Sequence, residues 1–131
     1  MKARHDARDP GGSILLCASL SALTGTVGMQ HYNAAKGALA SMARGIAVEM
    51  GRYGVRCNTV CPGYTRTNIS ESMDLAHIDP AGTQRAMVYT NIAPAVLEPE
   101  DIAWLALFLA SDESRHVNGA IIPADAGWSV A

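Results

Sequence analysis

The chain has 131 residues, 49% of them hydrophobic and 17% charged, and ten Lys and Arg against twelve Asp and Glu give a formal net charge of −2. That balance supplies no basic field for nucleic acid or an anionic membrane surface, and no run reaches the ~18 consecutive apolar residues of a membrane span. The length suits one modest domain or part of a larger one, because an α/β domain that grips a dinucleotide usually needs more chain.

Residues 1–12 read as a helix tail and turn: MKARHDARD mixes both charge signs at helical spacing before Pro10-Gly11-Gly12, and Asp6 and Asp9 argue against a mitochondrial presequence. From Ser13 to Ala18 the run SILLCA is continuously apolar, as for a strand covered on both faces in a parallel sheet, and Ser19 stands at its exit. Between Gln30 and Arg52 two stripes mark a long helix. Leu39, Met42, Ile46 and Met50 make a large apolar face, while Ala34, Ala38, Ser41 and Gly45 make a small one suited to close approach by another helix, within the subunit or from a second copy.

Gly51 and Gly54 bracket the helix end, and Val55 to Cys61 resumes the strand pattern before Pro62-Gly63 breaks it. Residues 67–97 carry Pro80, Gly82 and Pro94 among short amphipathic pieces, the pattern of an excursion that covers a site. Glu98 to Asp101 gives an acidic first turn to a helix whose stretch IAWLALFLA is apolar nearly all round and is expected to be deeply buried. Asn118-Gly119 turns the chain into a last strand at AIIP. The order is strand-helix-strand-excursion-helix-strand, an α/β arrangement.

Cys17, Cys57 and Cys61 are an odd number with no secretory pattern ahead of them. They point to a reducing, cytoplasmic setting rather than disulfides; Cys57 and Cys61 have metal-like proximity but no His or second Cys pair at ligand spacing, and in their apolar run they read as small buried hydrophobes.

The chemistry lies in three polar groups. Tyr32 and Lys36 in YNAAK are one helical turn apart and project from one face. An ordinary phenol titrates near ~10, and bringing one to neutrality requires roughly 4 kcal/mol. An ammonium about 4 Å away at an effective dielectric of ~20 supplies about that much. Ser19, thirteen residues before Tyr32, lies at a strand exit where open α/β sheets gather ligands, and its hydroxyl suits a developing oxyanion or a carbonyl. The pair alone is a weak pattern, equally readable as an exposed helix pair.

With Ser19 and the following Asn58-Thr59-Val60-Cys61-Pro62-Gly63, the chain resembles the C-terminal half of a short-chain dehydrogenase/reductase, over Gly11 to about Ser129. LASDES followed by NGAIIPADAGW resembles the family's last helix and strand. The resemblance implies the C-terminal half of a Rossmann-like, doubly wound parallel sheet. Its parts are a catalytic strand-helix-strand at 13–66, a substrate-covering excursion at 67–97 and the last helix and strand at 98–131. It further implies hydride transfer between NAD or NADP and a small-molecule alcohol or carbonyl. In those roles Tyr32 is the general acid/base and Ser19 the catalytic serine. Lys36 acts on the phenol and on the nicotinamide ribose. Pro62, Gly63, Thr65 and Thr67 border the cofactor, and a homo-oligomer forms through helix 30–52.

The departures are equally specific. No glycine-rich turn accepts a pyrophosphate, no residue reads the adenosine ribose, and no Asn precedes Ser13 for a proton relay, so the adenosine half-site is absent from this sequence. Gly25-Thr26-Val27-Gly28 reads as a loop flanking the substrate. Ser21 is a second hydroxyl at the wrong spacing from Tyr32, and Asp125-Ala126-Gly127 stands where Asp-Gly-Gly is common in the family. The chief alternative is an inactive remnant that serves only as an oligomerising partner. A serine hydrolase using Ser19 and His31 lacks both the nucleophile elbow and an orienting acid.

Overall fold

The computed structural model describes residues 11–69, 79–82, 84 and 96–130. The helix tail expected at residues 1–9 and most of the 67–97 excursion lie outside the described residues.

Strand β1 (Gly12–Cys17) is entered through Gly11, whose φ of +83° suits glycine and whose missing side chain lets the backbone lie against the Gly54 carbonyl. Helix α1 (Gln30–Met50) ends in a single 3-10 turn over Gly51–Tyr53, closed by Gly54 at φ +70°. Strand β2 (Val55–Pro62), helix α2 (Pro99–Ala110) and strand β3 (Ile121–Ala124) complete the described elements. The three strands form one parallel sheet in the order β1-β2-β3. Its register runs from Gly12 opposite Val55 to Cys17 opposite Val60, and from Thr59 opposite Ile121 to Pro62 opposite Ala124. The α/β class and the element order expected from the sequence are therefore present.

Because strand side chains alternate, Ile14, Leu16, Cys57 and Thr59 share the sheet face beneath α1. Ala43, Ala47 and Cys57 form the buried centre there, with Ile14, Leu16 and Ile46 packed around them. The helix thus meets the sheet through Ala40, Ala43 and Ala47 with Ile46 of the expected large-residue stripe beside them, while Met42 of that stripe is 47% exposed. Alanines allow the helix axis to come close to the sheet, which pushes the longer side chains to the flanks. Ala34, Ala38, Ser41 and Gly45 are all exposed.

On the opposite face, α2 is held at both ends by polar contacts. The Glu98 N–H donates to the Asp101 carboxylate at 2.9 Å and Pro99 occupies the first turn. At the far end the Leu109 carbonyl accepts from the hydroxyls of Ser13 at 2.8 Å and Ser114 at 3.0 Å, and the Ser111 carbonyl accepts from Arg56 at 3.0 Å. The expectation of deep burial is corrected. Only Leu109 is buried, while Trp104 is 71% and Leu107 61% exposed, since the described sheet touches one side of the helix. Cys57 and Cys61 are buried as expected, and Cys17 at the end of β1 is exposed. No helix among the described residues is long and apolar enough to cross a membrane.

Two asparagines tie β2 to the chain entering β3. The fully buried Asn58 donates to the Val117 carbonyl at 2.8 Å and accepts the Ala120 N–H at 2.9 Å. Asn118 reciprocates by accepting the Cys57 N–H at 2.9 Å.

Candidate active site

β1 delivers Ser19 to the C-terminal end of the sheet, where the Ala18 N–H makes a last bond to Val60 at 2.8 Å. Ser19 itself is extended (φ −168°, ψ 160°) and heads a short 3-10 turn over Leu20–Ala22. Its Oγ accepts the Ser21 N–H at 3.1 Å, which leaves the hydroxyl hydrogen to be donated outward. Ser21 is engaged elsewhere, with its Oγ 2.9 Å from the Thr26 hydroxyl. Of the two serines, Ser19 is the one whose hydroxyl is not tied to another side chain.

Beneath this turn, the backbone N–H of Ser19 approaches the Cys61 sulfur. Burial pushes the Cys61 thiol up, only partly offset by that N–H, and burial does the same to Cys57. Both stay protonated and chemically quiet, which suits packing rather than nucleophilic roles.

Helix α1 packs its first turns against the Ser19 turn and brings Tyr32 and Lys36, both half-buried, to the same end of the sheet. The Lys36 Nζ lies 5.6 Å from the Tyr32 ring centroid, within cation–π range, and donates to the Cys17 carbonyl at 3.3 Å. Tyr32 and Lys36 thus share one face as the spacing requires, and the Cys17 carbonyl holds Lys36 at the β1 exit.

One contributor went unread in the sequence. Asn33 donates to the Thr26 carbonyl at 3.1 Å and pins the 25–28 loop to the helix beside Tyr32, while its own Oδ1 is buried without a partner. An Asn in a helix first turn is the signal that it has local backbone work to do. A described piece within the excursion reaches this loop: the Gly82 backbone lies against Val27, where a Cβ would stand 2.6 Å from Val27 Cγ1.

From β2, Pro62 ends the strand and Gly63 donates to the Ala124 carbonyl at 2.9 Å. The Thr65 hydroxyl donates to the Gly63 carbonyl at 3.2 Å, and the exposed Thr67 hydroxyl accepts the Ile69 N–H at 3.4 Å. Arg66 pairs with Glu98 at 2.9 Å, joining this loop to the start of α2. Asn58, four residues before Pro62, is spent on the brace to Val117 and Ala120 and has no free polar atom to offer a ligand.

The residues present fit the nicotinamide end of a dinucleotide. Lys36 uses one of three ammonium donors, Thr67 is open to solvent, and Ser19 keeps a donor. Among the described residues no glycine-rich strand-to-helix turn offers a pyrophosphate site, and no cluster of His, Cys, Asp and Glu forms a metal centre. His31 is exposed at the helix start. A cleft of about 510 Å³, lined by Ser13, Arg56, Arg115 and His116 among others, opens at the opposite end of the sheet, where β1 and β2 begin.

Comparison with known proteins identifies the family and the fold. A family model described as enoyl-(acyl carrier protein) reductase matches residues 1–129. A short chain dehydrogenase of Rhodocybe pseudopiperita is 40% identical over 125 residues, covering 91% of this chain and 49% of its own length. An L-rhamnose 1-dehydrogenase (NAD(P)(+)) of Azotobacter vinelandii is 37% identical, covering 92% and 45%. The crystal structure of a short chain dehydrogenase from Mycobacterium paratuberculosis bound to NAD superimposes with a TM-score of 0.81 at 36% identity, covering 92% of this chain and 46% of that one. The chain spans about half the length of the curated relatives it matches. On sequence and on fold alike, the chain belongs to the short-chain dehydrogenase/reductase family.

Proposed function

We propose that this chain is the catalytic half of an NAD(P)-dependent oxidoreductase acting on a small-molecule alcohol or carbonyl, within a single partial Rossmann-like domain. Tyr32 gives or takes the proton, Ser19 hydrogen-bonds the reacting oxygen, and Lys36 acts on the phenol and on the nicotinamide ribose. Pro62, Gly63, Thr65 and Thr67 border the nicotinamide. The observation that carries this reading is the Lys36 ammonium 5.6 Å from the Tyr32 ring, on the helix that packs against the Ser19 turn. Family membership supports the same chemistry, and the solved relative bound to NAD supports the cofactor.

Bound NAD or NADP supplies the hydride acceptor or donor. In the reducing direction the Tyr32 hydroxyl passes its proton to the carbonyl oxygen while Ser19 donates a hydrogen bond to that atom; in the oxidising direction tyrosinate takes the alcohol proton. Ser19 suits the donor role because the Ser21 N–H already occupies its oxygen. The expected setting is cytoplasmic.

A second reading is favoured by one observation: Ala34, Ala38, Ser41 and Gly45 present an exposed small-residue side of α1 that suits a second copy. The chain then forms a homo-oligomer through helix 30–52, and in the limiting case serves only as an inactive partner. Turnover separates the two. In an active preparation, Tyr32→Phe lowers the rate by roughly 10²–10⁴-fold, the usual worth of a positioned acid/base. Full turnover by Tyr32→Phe overturns the assignment, and a folded wild type that assembles but turns over no alcohol or carbonyl establishes the partner reading.

A further inference from the structure

We propose that Asp125 is a positioning residue for the Pro62-Gly63 loop, acting by holding the turn after β3 against the Gly63 backbone. The inference rests on reading that loop as nicotinamide-facing, although the contact itself belongs to the chain alone.

Asp125 is 7% exposed, and its two carboxylate oxygens are both in use: Oδ1 accepts the Gly127 N–H at 3.0 Å and Oδ2 the Ser129 N–H at 2.8 Å. The backbone adds Trp128 N–H to the Asp125 carbonyl at 3.2 Å. The carboxylate thereby winds residues 125–129 into a closed turn immediately beyond β3. That turn does not stand free. Gly63 donates to the Ala124 carbonyl at 2.9 Å, extending the β2–β3 ladder past the end of β2.

The two backbones also touch directly. A Cβ on Gly63 would lie 2.8 Å from the Asp125 Cα and 3.0 Å from its Cβ, closer than real side chains tolerate. Gly63 is therefore the residue that lets loop and turn meet. Its carbonyl in turn accepts the Thr65 hydroxyl at 3.2 Å, so displacement of Gly63 passes to a second residue of the candidate nicotinamide border. The line of action runs from carboxylate to turn, from turn to Gly63, and from Gly63 to Thr65.

Amide hydrogen exchange on the 131-residue chain tests this without any ligand. Asp125→Ala is expected to speed exchange at the Gly63 and Arg66 amides roughly tenfold, with the Ala18 amide on the β1 side unchanged. Asp125→Asn, which keeps one acceptor oxygen, gives a smaller change of the same pattern and remains readable if the alanine variant does not fold. Gly63→Ala works in reverse and speeds exchange at Gly127 and Ser129. The proposal is overturned if loss of the carboxylate loosens Gly127 and Ser129 while Gly63 and Arg66 keep wild-type rates. NADH fluorescence on the same proteins reads the functional consequence, with a several-fold weaker Kd expected for Asp125→Asn. A wild-type chain that gives no enhancement counts against the nicotinamide reading, and the clamp is then decided by exchange alone.

Discussion

The two ends of β2 differ in what their polar groups are for. In the first half of the strand, Arg56 and Asn58 reach out as side chains and bind the carbonyls of Ser111 and Val117, while Asn118 returns the contact at Cys57. Each of those bonds pairs a side chain with backbone and is spent on holding the scaffold. Beyond the strand's C-terminal end the pattern reverses: backbone ties the Gly63 loop down, and the hydroxyls of Ser19, Tyr32 and Thr67 stay at least partly accessible. One end is held by saturated polar side chains, and the other holds polar side chains in reserve. Stability and chemistry should therefore separate along a single strand.

Substitutions can break that separation. Asn58→Ala removes two bonds from a fully buried side chain and leaves the Ala120 N–H without its partner, while the Val117 carbonyl keeps Arg56 at 3.3 Å, so it should cost about 2 kcal/mol in a denaturant titration. Tyr32→Phe should change the same midpoint by less than about 1 kcal/mol while removing turnover. If the two variants destabilise equally, the division between the ends fails.

Acid sharpens the comparison at the functional end. Burial alone pushes the Asp125 carboxyl up, but bonds from the Ser129 hydroxyl and from the Gly127 and Ser129 N–H groups outweigh it and hold the group below its ordinary 3.8. A depressed carboxylate contributes stability that is present above the unfolded value and is lost as pH falls through the folded one. Unfolding midpoints measured below about pH 3.8 should thus drop less steeply for Asp125→Asn than for wild type. The smallest effect is expected next door. Ala126 sits at φ +54°, where an L side chain is strained, and Ala126→Gly should raise stability by up to about 1 kcal/mol.

Much of the scaffold was readable because its signals are local. The strands begin and end within about a residue of the apolar runs that announced them, and Tyr32 and Lys36 fall on one face because four residues make a helical turn. What escaped depends on partners distant in sequence. Hydropathy marks Leu39, Met42, Ile46 and Met50 as the natural core of α1, yet close approach to the sheet buries Ala40, Ala43 and Ala47, keeps Ile46 beside them and leaves Met42 exposed. An apolar circumference suggested burial of α2, but burial depends on what lies on each side, and Trp104 faces outward. Asn58 is legible in the sequence only as part of a family signature, and the work of its side chain, on residues about sixty positions away, is not. The clamp at Asp125 and the pin at Asn33 were likewise invisible, since each depends on a loop whose path the sequence does not specify.

The most direct test of the catalytic reading is a fluorescence titration of NADH and NADPH with the folded 131-residue chain and its Lys36→Ala variant. The expected result is a saturable enhancement for wild type that weakens by about tenfold when the ammonium is removed. A folded chain that leaves nicotinamide fluorescence unchanged, or a Lys36→Ala variant that binds as well as wild type, would contradict it.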